Sequence, residues 1–153
     1  MIKTGSIYLV VKDFDKSLDF YKQLLEKDVS AQNKTRFAIF HLNGLCICLM
    51  NGYFDTENPE QVVTQGKYYE VYDDMVAIAK KENSGKVVIN LGTDDLRTEY
   101  ERIRKLGIGM NVTDIRYINA GSPYYYFCLQ DPDGNAVEIT GPFEEDKYAE
   151  DKQ

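Results

Sequence analysis

Two segments of this sequence, 6–25 and 88–107, carry the same order of apolar and polar residues. When Asp13 is aligned with Asp95, apolar residues coincide along both segments: Ile7 with Ile89, Leu9 with Leu91, Phe14 with Leu96 and Leu24 with Leu106. A second alignment matches "NGLCICL" (43–49) with "DGNAVEI" (133–139), and also places Phe37 on Phe127, Ile39 on Leu129 and Gly44 on Gly134. Because both matches occur in the same order, the sequence predicts a structural duplication.

Each half is predicted to form one strand, one helix and three further strands. A short apolar strand leads to Asp13 in the first half and to Asp94 and Asp95 in the second, and aspartate is a favoured helix N-cap. The spacing of apolar residues then predicts helices over about 15–26 and 95–106. Turn residues and alternation predict the remaining strands at about 28–33, 36–41, 45–50, 109–116, 124–130 and 135–140. The predicted fold class is therefore α+β, with a βαβββ module used twice.

Length and charge restrict what the protein can be. A chain of 153 residues is long enough for one domain, which we place at 1–145. It would contain module one at 5–51, a crossover with a short helix around Val71–Ala79 at 52–86, and module two at 87–141, followed by an acidic tail at 146–153. The net charge of −7 argues against nucleic acid or an anionic membrane as a partner. The N-terminal apolar run is too short for a signal peptide or a membrane span, so we expect a cytoplasmic protein.

Two motifs resemble the vicinal oxygen chelate superfamily, which includes glyoxalase I, the extradiol dioxygenases and the bleomycin and fosfomycin resistance proteins. They are "VKDFDKSLDFY" (11–21), which opens the first module, and "DPDGNAVEI" (131–139), which closes the second. The resemblance covers about 6–141. It implies that the two modules form a cup-shaped mixed sheet, the glyoxalase/bleomycin resistance fold. It also implies homodimers, in which two chains share their cups.

In that family, four strand positions project ligands onto one divalent metal ion. The resemblance carries these positions onto Ser6, Cys48, Val88 and Glu138, of which only Glu138 keeps the residue type typical of a metal site. The only histidine is His41, so a site of two histidines and one carboxylate cannot form within one chain. We therefore expect no metal and no cofactor.

Alternation along the strands predicts which residues face the cup. One parity is almost entirely aliphatic and is expected to pack on the helices. The other parity is mixed, as in a ligand cavity, and Ala38 and Cys128 are expected to share it. The candidate ligand-binding residues on that face are Ser6, Tyr8, Arg36, Phe40, Cys48, Met50, Val88, Asn90, Tyr124, Tyr126 and Glu138.

Each candidate has an alternative reading. Glu138 could act as a catalytic general base, or it could accept hydrogen bonds from Ser6, Asn90 or water. Tyr124 and Tyr126 could stack on a planar ligand, or reflect the preference of tyrosine for strands. The three cysteines lack the spacing of a disulfide framework or of a zinc or redox motif, and buried free thiols are the simpler interpretation.

The resemblance leads to one main functional hypothesis and two alternatives. The main hypothesis is a metal-free protein that binds an aromatic or amphipathic small molecule in its cup, similar to the bleomycin resistance proteins, with Glu138 as a polar anchor. The first alternative is a glyoxalase-type lyase or isomerase that uses Glu138 as general base. The second is a structural or partner-binding module whose cup is filled by its own side chains.

Overall fold

The first half of the chain folds as a mixed sheet with one long helix. Its elements are β1 (Ile7–Val11), α1 (Phe14–Leu25), β2 (Ala31–Asn33), β3 (Phe37–Leu42) and β4 (Leu45–Asn51). The sheet order is β1-β4-β3-β2, in which β1 and β4 are parallel and the other neighbours are antiparallel. Among the described residues that follow are two short helices, α2 (Phe54–Glu57) and α3 (Met75–Ala79), and a 3₁₀ turn at Pro59–Gln61.

The second half repeats this plan. It contains β5 (Val88–Gly92), α4 (Leu96–Leu106), β6 (Arg116–Asn119), β7 (Pro123–Gln130) and β8 (Ala136–Thr140). The sheet order is β5-β8-β7-β6. Here β5 and β8, the first and last strands along the chain, are parallel, and the other neighbours are antiparallel. The predicted α+β fold with two βαβββ modules is confirmed.

This computed structural model describes residues 1–61, 74–83, 85–119 and 121–144. Contacts divide the chain into two units, Met1–Glu82 and Asn83–Gln153. The predicted helical position at Val71 and the acidic tail at 146–153 lie outside the described residues. Within these ranges, every helix is too short or too polar to cross a membrane.

Both long helices begin at the predicted aspartate caps. The Asp13 carboxylate accepts a hydrogen bond from the Lys16 backbone N–H at 3.0 Å, and that of Asp95 accepts one from the Thr98 N–H at 3.1 Å. Such a cap satisfies one of the amide groups that a helix leaves unpaired at its start. Gly107 ends α4 in the left-handed conformation, with φ of 64°.

The helices cover the aliphatic face of each sheet. In the first unit, Tyr21 of α1 packs near Phe40, with ring centroids 6.3 Å apart. In the second unit, Tyr100 of α4 meets Phe127 edge to face at 5.2 Å. The strand residues of this parity are buried, among them Leu9, Val11, Ile47, Leu49, Ile89, Val137 and Ile139. We call the opposite side of each sheet its open face.

The register of β3 corrects one part of the sequence analysis. In an antiparallel pair, residues that lie opposite each other share a face. Phe40 lies opposite Ile47 and Ala38 opposite Leu49, so these residues face the helix, and both are fully buried. The prediction that Arg36, Ala38 and Phe40 lie on the open face was therefore wrong.

The hairpin connections explain that error. Asn43 and Gly44 form a two-residue turn, so Leu42 pairs with Leu45. The equivalent connection in the second unit spans five residues, 131–135, because Gln130 pairs with Ala136. The two connections differ in length by three residues. Because this number is odd, the side chains of β3 point to the opposite face from the one that alignment with β7 predicted.

Arg36 instead stabilises the start of the crossover. Its guanidinium lies 4.1 Å from the centroid of the Phe54 ring and forms an ion pair with Asp55 at 2.9 Å. The adjacent Asn51, which is buried, donates to the Thr35 carbonyl at 3.0 Å and accepts from the Tyr53 N–H at 2.9 Å. These contacts hold the chain as it leaves β4.

The strand predicted at 109–116 was also misplaced, because β6 only begins at Arg116. Gly109 and Asn111 have φ values of 80° and 51°, in the left-handed region that a strand cannot contain. Residue 110 makes only an isolated bridge to Gln130.

The β3 register predicts different roles for two neighbouring phenylalanines. Phe40→Ala should lower the free energy of unfolding by about 3–5 kcal/mol, because it leaves a cavity beneath α1. Phe37→Ala should cost about 1.5 kcal/mol or less, since this half-exposed ring mainly loses its contact with Tyr8. Urea denaturation of the two variants measures both values, and a larger loss for Phe37→Ala would refute this register.

Candidate functional site

The open face of the second sheet carries a row of polar side chains around Glu138. Glu138 of β8 lies beside Asn90 of β5 on one side and Cys128 of β7 on the other. The next row along β7 and β8 contains Tyr126 opposite Thr140. Three strands therefore converge on one half-buried carboxylate.

Glu138, Asn90 and Tyr124 form a closed hydrogen-bond network, which we call the Glu138 cluster. The Tyr124 hydroxyl and the Asn90 amide nitrogen both donate to Glu138 Oε1 at 2.7 Å. The same amide nitrogen lies 3.0 Å from the Tyr124 hydroxyl oxygen. An ionised carboxylate only accepts hydrogen bonds, so the donors of Tyr124 and Asn90 are spent within the cluster. What the cluster offers to a ligand is acceptor capacity.

The pKa of the Cys128 thiol depends on two charged residues of this face. Burial raises the pKa of the Cys128 thiol, the negative charge of Glu138 raises it further, and the positive charge of Arg116 opposes both. A thiol with a raised pKa is a poor nucleophile at neutral pH. Cys128 is therefore better suited to line the face than to react with a ligand.

Two aromatic rings lie beside the Glu138 cluster. The centroids of Tyr124 and Tyr126 are 5.7 Å apart and their planes are inclined by 43°. Both side chains are half-buried, so each still presents part of a ring. Such rings provide contact area for a planar ligand at little conformational cost.

The open face of the first sheet is more apolar. Tyr8, which is 55% exposed, lies near Phe37 with ring centroids 5.5 Å apart. Cys48 is buried, and burial raises the pKa of its thiol while a hydrogen bond with Ser6 opposes this. Cross-strand pairing places Phe37 with Met50, Ile39 with Cys48, and His41 with Cys46 on this face.

The remaining predicted site residues, without Arg36 and Phe40, fall into two sets, one in each unit. In the second unit, Asn90, Tyr124, Tyr126 and Glu138 come together, and Val88 lies on the same face with 47% of its surface exposed. In the first unit, the open face holds Ser6, Tyr8, Cys48 and Met50.

Among the residues of these faces that sequence reasoning missed are Phe37, Ile39, His41 and Arg116. A signal existed for the first three. A two-residue Asn-Gly turn determines the pairing of the strands on either side, and counting back from it places Phe37, Ile39 and His41 opposite Met50, Cys48 and Cys46. Arg116 was missed because the strand that contains it was placed too early.

The four positions that the resemblance assigned to a metal do not suit one. In the second unit, Val88 has no donor atom, and Glu138 Oε1 already accepts hydrogen bonds from two neutral groups. In the first unit, Ser6 and Cys48 supply a weak hydroxyl and a buried thiol that retains its proton. Within the ranges that the structure describes, no three His, Cys, Asp or Glu side chains are grouped so as to hold a metal ion.

A repeated βαβββ unit, covered by a helix on one face and bearing polar and aromatic groups on the other, defines a protein of the glyoxalase/bleomycin resistance fold. The sequence agrees, since the family model for the Glyoxalase/Bleomycin resistance protein/Dioxygenase superfamily matches residues 3–139. The chain belongs to this superfamily. No curated protein sequence matches it.

Solved structures with low sequence identity share the fold. A lactoylglutathione lyase from Agrobacterium tumefaciens is 17% identical with a TM-score of 0.59, covering 92% of each chain. A glyoxalase/bleomycin resistance protein/dioxygenase from Nocardioides is 21% identical with a TM-score of 0.61, covering 94% of this chain and 85% of that one. A glyoxalase-related enzyme from Fulvimarina pelagi is 15% identical with a TM-score of 0.60, covering 93% and 89%. At these identities the likeness concerns the fold alone.

The charges around Cys128 predict opposite effects of two substitutions. Glu138→Gln removes a negative charge, so the pKa of Cys128 should fall and its alkylation by iodoacetamide at neutral pH should become faster. Arg116→Gln removes a positive charge, so the pKa should rise and alkylation should become slower. Mass spectrometry of the Cys128 peptide over a pH series gives both midpoints. A shift in the same direction for both variants would show that access, and not charge, controls the thiol.

Proposed function

We propose that this chain is a small-molecule-binding member of the superfamily that works without a metal ion. It holds an aromatic ligand on the open face of the second sheet, against the Glu138 cluster. One observation carries the proposal: the residue at the family's metal-ligand position has Tyr124 and Asn90 as hydrogen-bond partners at 2.7 Å.

The geometry of the cluster disfavours a cation at Glu138 Oε1. The Tyr124 hydroxyl and the Asn90 amide both direct hydrogen atoms, the positive ends of their dipoles, at this oxygen. A metal ion bound there would have to displace both donors, and Val88 would supply no replacement ligand. Divalent ions need about four to six oxygen, nitrogen or sulfur ligands, so this exchange is unfavourable.

The same arrangement favours a ligand that combines an aromatic body with polar groups. Tyr124 and Tyr126 offer ring surface next to the acceptors of the Glu138 cluster. A few directed polar groups beside aromatic surface are typical of small-molecule sites. In such a site the rings supply contact area and Glu138 orients the ligand.

The first prediction of this proposal concerns metal content. Protein purified without chelator should contain far less than one equivalent of nickel, zinc, iron or manganese per chain, because the donor set cannot hold the ion. Inductively coupled plasma mass spectrometry measures this directly. One equivalent per chain that disappears in Glu138→Gln would overturn the proposal and favour a metal-dependent lyase.

The second prediction concerns ligand binding and can be tested by a thermal-shift screen of aromatic metabolites and antibiotics. Hits should bind on the order of tenfold more weakly to Tyr126→Ala, because this variant loses ring contact next to Glu138. The matched control is Tyr117→Ala, which removes an exposed tyrosine from the other face of the same sheet, where its ring lies 5.1 Å from that of Tyr125.

Three results would contradict the binding proposal. A screen without a single hit would remove its basis, and equal losses in Tyr126→Ala and Tyr117→Ala would place the ligand elsewhere. Conversion of a hit to a product, followed by proton NMR and abolished in Glu138→Gln, would make the chain an enzyme with Glu138 as general base.

A further inference from the structure

The open face of the second sheet carries a positive charge as well as the Glu138 carboxylate. Arg116 is the first residue of the edge strand β6 and lies directly opposite Tyr126. Cross-strand partners share a face, so Arg116 belongs to the same surface as Tyr126 and Thr140. Its side chain is exposed, and in the described part of the chain it forms no ion pair.

Glu138 keeps one carboxylate oxygen for a ligand. Oε1 receives both hydrogen bonds of the cluster, whereas Oε2 has no hydrogen-bond partner among the residues that the structure describes. Glu138 as a residue is half-buried, and its Oε2 can accept a hydrogen bond from a ligand; a charged donor forms the stronger bond. An ammonium group is such a donor.

The two charges are separated by the strand between them. Glu138 lies beside Cys128, and Arg116 lies beside Tyr126, two residues back along β7. Standard strand spacing and rise then put the Cα atoms of Glu138 and Arg116 roughly 12 Å apart. Cys128 lies on β7, the strand between these two residues, and their charges affect the pKa of its thiol in opposite directions.

We infer that the ligand is a zwitterion: an aromatic amino carboxylate whose ammonium and carboxylate groups stand at opposite ends of the ring. This inference rests on the proposed function and deepens it. The ammonium donates to Glu138 Oε2, the guanidinium of Arg116 donates to the ligand carboxylate, and the ring lies against Tyr126. Arg is well suited to this role because its planar fork binds a carboxylate through two parallel hydrogen bonds.

The arrangement discriminates against ligands with only one charge. A purely cationic ligand gains the contact with Glu138, but it has no partner for Arg116. A purely anionic ligand gains Arg116, but it leaves Glu138 Oε2 without a donor and adds a like charge to this face. A zwitterion of suitable length satisfies both groups at once, and the ring between its charges matches the aromatic surface between Glu138 and Arg116.

Three matched probes test the inference by isothermal titration calorimetry: para-(aminomethyl)benzoate, benzylamine and para-toluate. They share one ring and differ only in which charged groups they carry. We expect para-(aminomethyl)benzoate to bind on the order of tenfold more tightly than either of the others, as expected for one additional charge-assisted hydrogen bond. Measurements at low ionic strength keep the contribution of the exposed arginine large.

Two variants separate the two ends of the ligand. Arg116→Gln should reduce the affinity of para-(aminomethyl)benzoate to that of benzylamine, while benzylamine binding changes little. Glu138→Gln should reduce it to that of para-toluate. The matched controls are Arg97→Gln and Glu101→Gln. Each removes one charge from an ion pair on α4, and each should leave all three affinities unchanged. Circular dichroism and Tm confirm that each variant is folded.

The outcomes distinguish this inference from the proposed function. Equal affinities for para-(aminomethyl)benzoate and benzylamine would overturn the zwitterion and leave an aromatic-binding protein. Failure of all three probes would do the same if other aromatic compounds still bind in a Tyr126-dependent manner. If no aromatic compound binds at all, both the inference and the proposed function fail.

Discussion

The rest of the structure depends on the parallel pairing of the first and last strands within each unit. Strands that run in the same direction cannot be joined by a tight turn, so the chain must cross over between them, and here a helix begins that crossover. Tyr21 of α1 and Tyr100 of α4 pack on one face of their respective sheets. Since side chains alternate along a strand, each sheet buries one set of residues beneath its helix and leaves the other set available for binding.

The two open faces differ in chemistry although the units share one fold. The first unit presents Tyr8, Phe37, Ile39 and Met50, with thiols in place of charges. The second unit presents a carboxylate, an amide, two phenols and a guanidinium. The duplication therefore preserved the buried residues, which make the fold, more closely than the exposed ones. This is expected, because packing restricts volume and polarity beneath the helix, whereas residues on the open face are not subject to that restriction.

Glu138 illustrates how a carboxylate is accommodated when its neighbours cannot form a metal site. A half-buried carboxylate requires hydrogen-bond donors, and the adjacent strands supply them from Asn90 and Tyr124. These bonds use the donors of Asn90 and Tyr124, so the cluster retains only acceptor capacity. Under the function proposed above, such a site binds hydrogen-bond donors and not a cation shared among several ligands, and Arg116 adds a positive charge to the same face.

The sequence by itself determined the repeat, both long helices with their aspartate caps, and the faces of β1, β4, β5, β7 and β8, because these depend on local spacing and on alternation. Tertiary structure decided what depends on pairing. The register of β3 follows from a two-residue turn that is three residues shorter than its counterpart, and this odd difference moved Arg36, Ala38 and Phe40 away from the open face. The start of β6, and with it Arg116, follows from left-handed residues at 109 and 111. The sequence also put Asn90, Tyr124 and Glu138 on one face, but only the insertion of β8 between β5 and β7 brought residues so distant in the chain around a single carboxylate oxygen.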